Sequence, residues 1–142
     1  MSDPTPLVPV PRERIPGYNL HLEMDDIRCG GGRAEIRATV REDFTNRRGA
    51  SHGGFIASML DSVLGTAVVS ALAPEEWCGT VQLNVQFLAP GRGSLVARGE
   101  MVRRGRHLAF ARGEIVDEAG RTVATAEGTW YVWPEHPDGG GR

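Results

Sequence analysis

The sequence contains no lysine, few aromatic residues and only two cysteines. Cys29 and Cys78 lie far apart and show no CxxC or Cys/His spacing, which argues against a disulfide framework and a zinc site. The net charge of -2 does not indicate a nucleic-acid surface or a polybasic membrane patch. All 16 basic residues are arginine, so every cationic contact must use a guanidinium group, which suits phosphate.

The first residues also lack the basic and apolar segments of a secretion signal, and we therefore expect a cytoplasmic protein. Residues 1–17 are rich in proline and predict an extended arm, while residues 134–142 predict a flexible tail. The length of 142 residues suits a single hydrophobic core. These features together predict one folded domain over residues 18–133.

Alternation of apolar and polar residues predicts that much of this domain is β-strand. From Arg33 to Arg41 every second residue is apolar, and the same alternation returns from Thr80 to Leu88. Further strands are predicted at 94–103, 107–117 and 121–133, with short turns between them. Short strands at near-regular spacing are typical of an antiparallel meander.

A single long helix is predicted from Gly53 to Ala73, where Pro74 stops it, with Ser51 as its N-cap. Apolar residues occur all around this helix, which is typical of a buried helix. A stretch of this length could also cross a membrane, but Asp61 near its middle argues against that alternative. The pattern predicts an α+β fold in which a curved antiparallel sheet wraps around one central helix.

Asp61 is the first candidate for a catalytic role. It is the only charged residue between Arg48 and Glu75 when histidine is neutral. A carboxylate in a buried helix is costly unless it is paired, hydrogen-bonded or protonated. Ser58, Thr66 or solvent could satisfy it. The functional alternative is that Asp61 serves as a general base or a nucleophile in a pocket.

The predicted helix begins in a glycine-rich segment, Gly49-Ala50-Ser51-His52-Gly53-Gly54. Glycine weakens a helix, but it lets a ligand approach backbone N–H groups that carry partial positive charge. Such groups stabilise the oxyanion that forms when a thioester carbonyl is attacked. An ordinary glycine-rich turn is the alternative.

Residues 46–54 read Asn-Arg-Arg-Gly-Ala-Ser-His-Gly-Gly, and Asp61 follows seven residues after the second glycine of the pair. This combination resembles the signature of the PaaI-type hotdog thioesterases. Residues 84–90 and 104–110 are also similar to that family, and the likeness covers about residues 20–133. The resemblance implies a hotdog fold and hydrolysis of an acyl-CoA thioester, with coenzyme A present as part of the substrate and no separate cofactor or metal.

The resemblance also implies a role for each position of the motif. The backbone N–H of Gly53 would polarise the thioester carbonyl, and Asp61 would attack that carbonyl or activate water. Asn46 and Thr80 would position the reacting groups, and His52 would support them. The residues implied along the coenzyme A path are Gln82, Phe87, Arg103, Arg104, Gly105, Arg106, His107 and Leu108. Considered without the resemblance, the cluster of Arg103, Arg104, Arg106 and His107 on one turn either binds phosphate or forms a solvated charged hairpin.

The spacing of Gly53 and Asp61 predicts a homodimer. Eight residues separate them on the helix, which corresponds to about 12 Å at the usual rise per residue. A thioester that contacts both groups must therefore lie between two chains whose helices pair antiparallel. The resemblance implies that such dimers pair again into tetramers.

We expect the substrate to be an aryl- or medium-chain acyl-CoA that is hydrolysed to a free acid and CoA, without a nucleic-acid or membrane partner. Two alternatives stay open. One is a hotdog dehydratase or hydratase, which would use a catalytic histidine, and the other is a non-catalytic protein that binds or senses acyl-CoA. The sequence does not fix the acyl group or choose between the two roles of Asp61.

Overall fold

The computed structural model describes residues 5–137, which form one curved antiparallel sheet packed around one long helix. The strand order in the sheet is β1-β2-β3-β5-β6-β7-β4, and all neighbours are antiparallel. This architecture confirms the α+β prediction. The helices are α1 (Gly17–His21) and α2 (Gly53–Val69), and the strands are β1 (Val8–Pro9), β2 (Asp26–Gly30), β3 (Arg33–Thr39), β4 (Trp77–Phe87), β5 (Ser94–Arg104), β6 (Leu108–Asp117) and β7 (Thr122–Trp133).

The core lies between α2 and the inner face of the sheet. Leu64 is fully buried, and a Cβ added to Gly99 or Gly113 would lie 2.8 or 2.9 Å from its Cδ2 atom. The middle of the sheet therefore needs residues without side chains to receive the large apolar residues of α2. Within residues 5–137, no helix is long and apolar enough to cross a membrane.

The structure corrects the predicted helix in three respects. The N-cap is His52 and not Ser51, because the His52 ring accepts a hydrogen bond from Gly54 N–H. The helix ends at Val69 rather than Ala73, and the Ser70 hydroxyl donates to the carbonyl of Ala67 at this end. The helix is also not buried all round, because Gly54, Ala57, Asp61, Ser62 and Gly65 form a small or polar stripe outside the core.

The two ends of the sheet differ. Strand β1 belongs to the predicted arm and pairs with β2, whereas β4 forms the opposite edge and is largely exposed. Residues 1–4 of the predicted arm and 138–142 of the predicted tail lie outside the described residues. The domain boundaries at 18 and 133 stay a prediction.

Candidate active site

The Asp61 carboxylate lies on α2 opposite the edge strand β4. Thr80 Oγ1 donates a hydrogen bond to Asp61 Oδ1 at 2.9 Å. Neither of the predicted helical partners takes this role, because the Ser58 hydroxyl bonds to the Tyr18 hydroxyl at 2.6 Å and the Thr66 hydroxyl donates to the backbone carbonyl of Ser62. No salt bridge of the described residues involves Asp61. Its carboxylate is therefore held by a neutral hydroxyl without a compensating cation.

Asn46 organises the loop before α2. Its side-chain oxygen accepts hydrogen bonds from the N–H groups of Arg48 at 2.8 Å and Ala50 at 3.3 Å, and its own backbone N–H donates to the carbonyl of Ala50 at 2.7 Å. Gly49 in the same loop has φ +75, a conformation that favours glycine. Because the amide oxygen is used inside the loop, the amide N–H groups of the exposed Asn46 are the ones that a ligand can accept from.

His52 and Gly53 together form the start of α2. His52 Nδ1 accepts from Gly54 N–H at 2.8 Å, so this nitrogen carries no proton in the capped state. The Gly53 N–H has no acceptor among residues 5–137, as expected for the first turn of a helix. A Cβ on Gly53 would lie 3.4 Å from Phe87 Cε1. The structure therefore brings His52, Gly53 and Phe87 together, with the Gly53 N–H left for a ligand.

Gly53 and Asp61 do not meet within one chain. They belong to the same uninterrupted helix, and the rise of an α-helix separates their backbones by about 12 Å. One chain thus holds the predicted site residues in two separate groups, the helix start around Gly53 and the carboxylate of Asp61 bonded to Thr80.

Arg92, which was not among the predicted site residues, supports the loop before α2. Its guanidinium donates to the carbonyls of Gly49 at 2.7 Å and Arg48 at 3.4 Å. The neighbouring Gly91 carbonyl accepts from Ser51 N–H at 2.8 Å. Only the Gly-Arg-Gly turn marked this position in the sequence, and such a turn carries no sign of its distant partner.

The predicted coenzyme A residues fall into different environments. Arg104 binds both carboxylate oxygens of Glu76 through its two terminal nitrogens, and Arg104 Nε donates to the Gly105 carbonyl. This pairing raises the pKa of Arg104 and ties the β5–β6 hairpin to the start of β4. Arg103 and Arg106 are exposed and make no salt bridge with the described residues.

Of the remaining predicted coenzyme A residues, Gly105, His107 and Leu108 lie in the same hairpin, whereas Phe87 lies at the other end of β4 beside Gly53. Gln82 lines a groove of about 370 Å³ together with Val102 and Phe110 on the outer face. Leu108 begins β6 and accepts a backbone hydrogen bond from Gly105 N–H at 2.7 Å. No cluster of three or more metal-binding side chains occurs in the described part of the chain.

The family model described as Thioesterase superfamily matches residues 48–124. A candidate esterase of Saccharolobus solfataricus is 31% identical over 112 residues, which is 78% of this chain and 79% of that protein. The medium/long-chain acyl-CoA thioesterase YigI of Escherichia coli is 36% identical over 95 residues, which is 57% of this chain and 61% of YigI.

Solved structures agree with these sequence relatives. A candidate thioesterase of Ralstonia eutropha, described as related to phenylacetic acid degradation, has a TM-score of 0.76 at 32% identity, over 82% of this chain and 90% of that one. The PaaI protein of Escherichia coli has a TM-score of 0.79 over 87% and 88% of the two chains, and at 23% identity it shows the shared fold.

A protein of Bacillus halodurans solved with CoA has a TM-score of 0.76 at 26% identity, over 86% of this chain and 79% of that one. Family match, relatives and fold support the same assignment. The hotdog fold and the PaaI-type resemblance are confirmed, and the chain is a thioester hydrolase that belongs to the thioesterase superfamily.

Proposed function

We propose that this protein hydrolyses an aryl- or medium-chain acyl-CoA to a free acid and CoA. In this proposal Asp61 acts as base or nucleophile, the Gly53 N–H stabilises the oxyanion, and Asn46, His52 and Thr80 position these groups. The observation that carries the proposal is the hydrogen bond from Thr80 Oγ1 to Asp61 Oδ1, which orients a carboxylate that has no other side-chain partner among residues 5–137.

Water, Asp61 and the Gly53 N–H account for every bond and proton in the proposed hydrolysis. As a base, Asp61 takes a proton from water while the water oxygen attacks the thioester carbon. The negative charge that develops on the carbonyl oxygen is stabilised by the Gly53 N–H, since the start of a helix carries partial positive charge. When the C–S bond breaks, the leaving CoA thiolate takes the proton that Asp61 removed from water, so Asp61 returns to a carboxylate and the acid is released.

Asn46 and His52 act on this centre in different ways. The Asn46 amide can donate an N–H to the attacking water or to the thioester, because its oxygen is bonded within the loop. His52 bonds to Gly54 N–H and so holds the first turn in the geometry that leaves the Gly53 N–H unpaired. In this proposal His52 is a positioning residue.

The proposed site is shared between two copies of the chain. The separation of Gly53 and Asp61 on one helix requires it, and the half-buried small or polar stripe of α2 and the edge strand β4 offer surfaces for a partner. Val81 and Phe87 on β4 are 61% and 58% exposed, which is unusual for large apolar side chains on an edge strand of a monomer. A second pairing of dimers into a tetramer is part of the same proposal.

The acyl-CoA preference is drawn from relatives. YigI is named a medium/long-chain acyl-CoA thioesterase, and the Ralstonia eutropha protein is linked by its description to phenylacetic acid degradation. These descriptions favour a medium aliphatic and an aryl chain respectively, and both stay within the proposal. A panel of acyl-CoA substrates assayed for free CoA would rank them.

Substitution of Asp61 by Asn tests the catalytic assignment. We expect kcat to fall by about 10²- to 10⁴-fold, because a general base is lost while the shape of the side chain is kept. Asp26→Asn, which changes an exposed carboxylate on β2, is the matched control and should keep the wild-type rate. Wild-type hydrolysis by Asp61→Asn on the best substrate would exclude this function for Asp61.

A single turnover in water enriched in ¹⁸O separates the two roles of Asp61. If the carboxylate attacks the thioester, hydrolysis of the resulting anhydride can leave label in Asp61. If Asp61 activates water instead, all of the label enters the product acid. Mass spectrometry of the peptide that contains Asp61 distinguishes these outcomes.

A further inference from the structure

The indole of Trp130 is buried in the core, but its N–H group has no acceptor in the described part of the chain. Trp130 is 1% exposed and is the largest of the fully buried side chains. No hydrogen bond among residues 5–137 involves its Nε1 atom. Every fully buried polar side-chain atom of these residues has a partner, so Nε1 belongs to the small exposed part of Trp130. Because buried tryptophan N–H groups normally have a partner, an acceptor at Nε1 comes from outside these residues.

Two glycines fix the position of this indole. At its six-membered ring, a Cβ on Gly128 would lie 2.8 Å from both Cη2 and Cζ3 of Trp130. At its five-membered ring, a Cβ on Gly65 would lie 3.5 Å from Nε1, and outside α2 no other described atom lies within 4 Å of that Cβ position. Gly65 belongs to the small or polar stripe of α2. The indole N–H group therefore lies beside a gap in this stripe.

Packing alone does not account for a glycine at position 65. Glycine is unfavourable in the interior of a helix relative to alanine, and a Cβ 3.5 Å from Nε1 would make an ordinary van der Waals contact. Alanine would thus fit at this position and would strengthen α2. The gap beside Gly65 keeps a buried donor accessible, which matches a ligand that accepts a hydrogen bond there.

This donor lies close to the proposed reaction centre. Gly65 follows Asp61 by four residues on α2, and residues at this spacing have Cβ positions about 5–6 Å apart on the same face of a helix. Trp130 is also the sheet partner of Thr80, whose hydroxyl donates to Asp61. An atom that accepts from Nε1 therefore lies within a few bonds of a thioester carbon at Asp61.

The burial of this donor indicates which part of the substrate it meets. Gln82 and Phe87, which the family resemblance places along the coenzyme A path, are exposed on β4. Nε1 of Trp130 lies instead on the inner side of the sheet, against α2. The acyl group is the part of the substrate that is left for this inner side, and a hydrocarbon chain offers no acceptor. An oxygen atom on the acyl group would provide one.

We infer that Trp130 is a specificity-determining residue, which donates a hydrogen bond from Nε1 to an oxygen substituent on the acyl group. The substrate is then an acyl-CoA that carries a hydroxyl or keto oxygen a few carbons from the thioester. A site with a buried donor discriminates against analogues without the acceptor, because they leave the donor unpaired. This inference rests on the proposed function and narrows its substrate class.

Hydrolysis of matched substrates tests this role, with octanoyl-CoA compared with 3-hydroxyoctanoyl-CoA and 5-hydroxyoctanoyl-CoA. For the wild type we expect kcat/KM to be about three- to tenfold higher for one of the hydroxylated substrates, which is the usual size of one neutral hydrogen bond. Trp130→Phe removes the donor and should bring this ratio of kcat/KM values close to one. Trp133→Phe removes an exposed indole from the same strand and should keep the wild-type ratio.

Gly65→Ala is the second variant, because Trp130→Phe also removes part of the core. It keeps the indole, but its methyl group fills the gap beside Nε1. We expect the ratio to fall close to one, while the free energy of unfolding in urea stays unchanged or rises, since alanine favours the helix. A wild-type ratio in folded Gly65→Ala, or no preference of the wild type for either hydroxylated substrate, would overturn the inference.

Nuclear magnetic resonance of the indole N–H groups gives a readout that needs no hydrolysis. The chain has three tryptophans, and the signal that is missing in Trp130→Phe is the signal of Trp130. Non-hydrolysable CoA thioethers with the same chains serve as ligands, and this signal should move downfield with a hydroxylated chain but not with the plain chain. Equal shifts with both chains would assign the acceptor to pantetheine, and no shift with either would assign it to water. Each of these two results overturns the inference, and neither depends on the Asp61→Asn test because the thioethers are not turned over.

Discussion

Two partly buried carboxylates, Glu35 and Asp61, belong to very different surroundings. Glu35 lies on the outer face of β3 and accepts hydrogen bonds from Arg37 Nε at 2.9 Å and Arg98 Nε at 3.2 Å. Burial acts to raise its pKa, but the two guanidinium groups outweigh burial and lower it. Asp61 lies on the helix side of the sheet and receives a bond only from the hydroxyl of Thr80 among the described side chains. A carboxylate that serves the fold is neutralised by cations, while the one proposed for chemistry is left uncompensated.

This contrast has a counterpart on α2 itself. Four apolar residues of α2 are fully buried in the core: Met59, Leu60, Val63 and Leu64. Asp61 lies between them in sequence but belongs to the small or polar stripe outside the core. Burial of apolar side chains provides most of the stability of such a helix. We therefore expect changes on the two sides of α2 to separate stability from activity.

The largest expected effect on stability comes from Leu64→Ala. Leu64 is fully buried against Gly99 and Gly113, which cannot fill the space that it leaves. We expect the free energy of unfolding to fall by about 2–5 kcal/mol. Asp61→Asn, three residues away on the small or polar stripe, should change the free energy of unfolding by less than about 0.5 kcal/mol. Urea unfolding of both variants measures this difference, and a large loss of stability in Asp61→Asn would show that the carboxylate serves the fold.

The next effect concerns the oxyanion donor. Gly53→Pro removes the N–H while keeping the helix, because proline is favoured at the first helical position and His52 has φ -59 and ψ 140, which a following proline accepts. We expect kcat to fall by about 10²- to 10³-fold. Gly53→Ala is the matched control, since it keeps the N–H and adds a Cβ 3.4 Å from Phe87 Cε1. Comparable losses of kcat in both variants would attribute the effect to crowding by Phe87.

Mixing two inactive variants tests whether the site is shared. A dimer of one Gly53→Pro chain and one Asp61→Asn chain contains one intact site when the groups come from different chains. Random pairing makes half of the dimers mixed, so activity should return to about a quarter of the wild-type value in a two-fold dimer. Absence of recovery in purified mixed dimers would place both groups in one chain and contradict the shared site.

A smaller loss of activity is expected for Thr80→Val, which removes the only hydrogen bond that the described residues give to the Asp61 carboxylate. Hydrogen bonds to charged groups contribute about 1.5–3 kcal/mol, and partial exposure places this one near the lower value. We expect kcat to fall about tenfold with little change in KM. Thr80→Ser keeps the hydroxyl and should restore most of the rate, which distinguishes positioning of Asp61 from simple packing of the methyl group.

The fold was predictable because its signals are local. Alternation from Arg33 to Arg41 and from Thr80 to Leu88, the short turns that divide residues 94–133 into strands, and the long interval from Gly53 to Pro74 are all read from neighbouring residues. The end of α2 was predicted four residues too late, because the apolar residues that follow Val69 resemble helix. The N-cap was misplaced because the His52 ring replaces the hydroxyl that Ser51 would have offered.

The site was predictable only in part. The Asp61–Thr80 contact joins residues that the resemblance had named, but the link from Arg92 to the loop before α2 spans 43 residues and leaves no periodic pattern. In the sequence Arg103, Arg104 and Arg106 form one cluster, whereas in the structure Arg104 is ion-paired with Glu76. Which arginines of a cluster are paired depends on side-chain partners that are distant in sequence.

The smallest expected effect concerns the other carboxylate, Glu35, and its dependence on pH. Because the folded protein lowers the pKa of Glu35, its ion pairs stabilise the fold at pH values above the ordinary carboxyl pKa of about 4.3. That contribution is lost as the pH falls through the lowered pKa of the folded state. We expect Glu35→Gln to lower the free energy of unfolding at pH 7 by less than about 1 kcal/mol, since Arg37 and Arg98 are more than half exposed.

The difference between wild type and Glu35→Gln should therefore shrink on acidification, with activity at pH 7 unchanged. Glu13→Gln, at an exposed carboxylate without a salt bridge in residues 5–137, is the control and should show no such trend. Urea midpoints measured from pH 7 to pH 3 check both variants. A difference that grows toward low pH would mean that the arginines do not stabilise the charged form of Glu35, and the contrast with Asp61 would then lose its electrostatic basis.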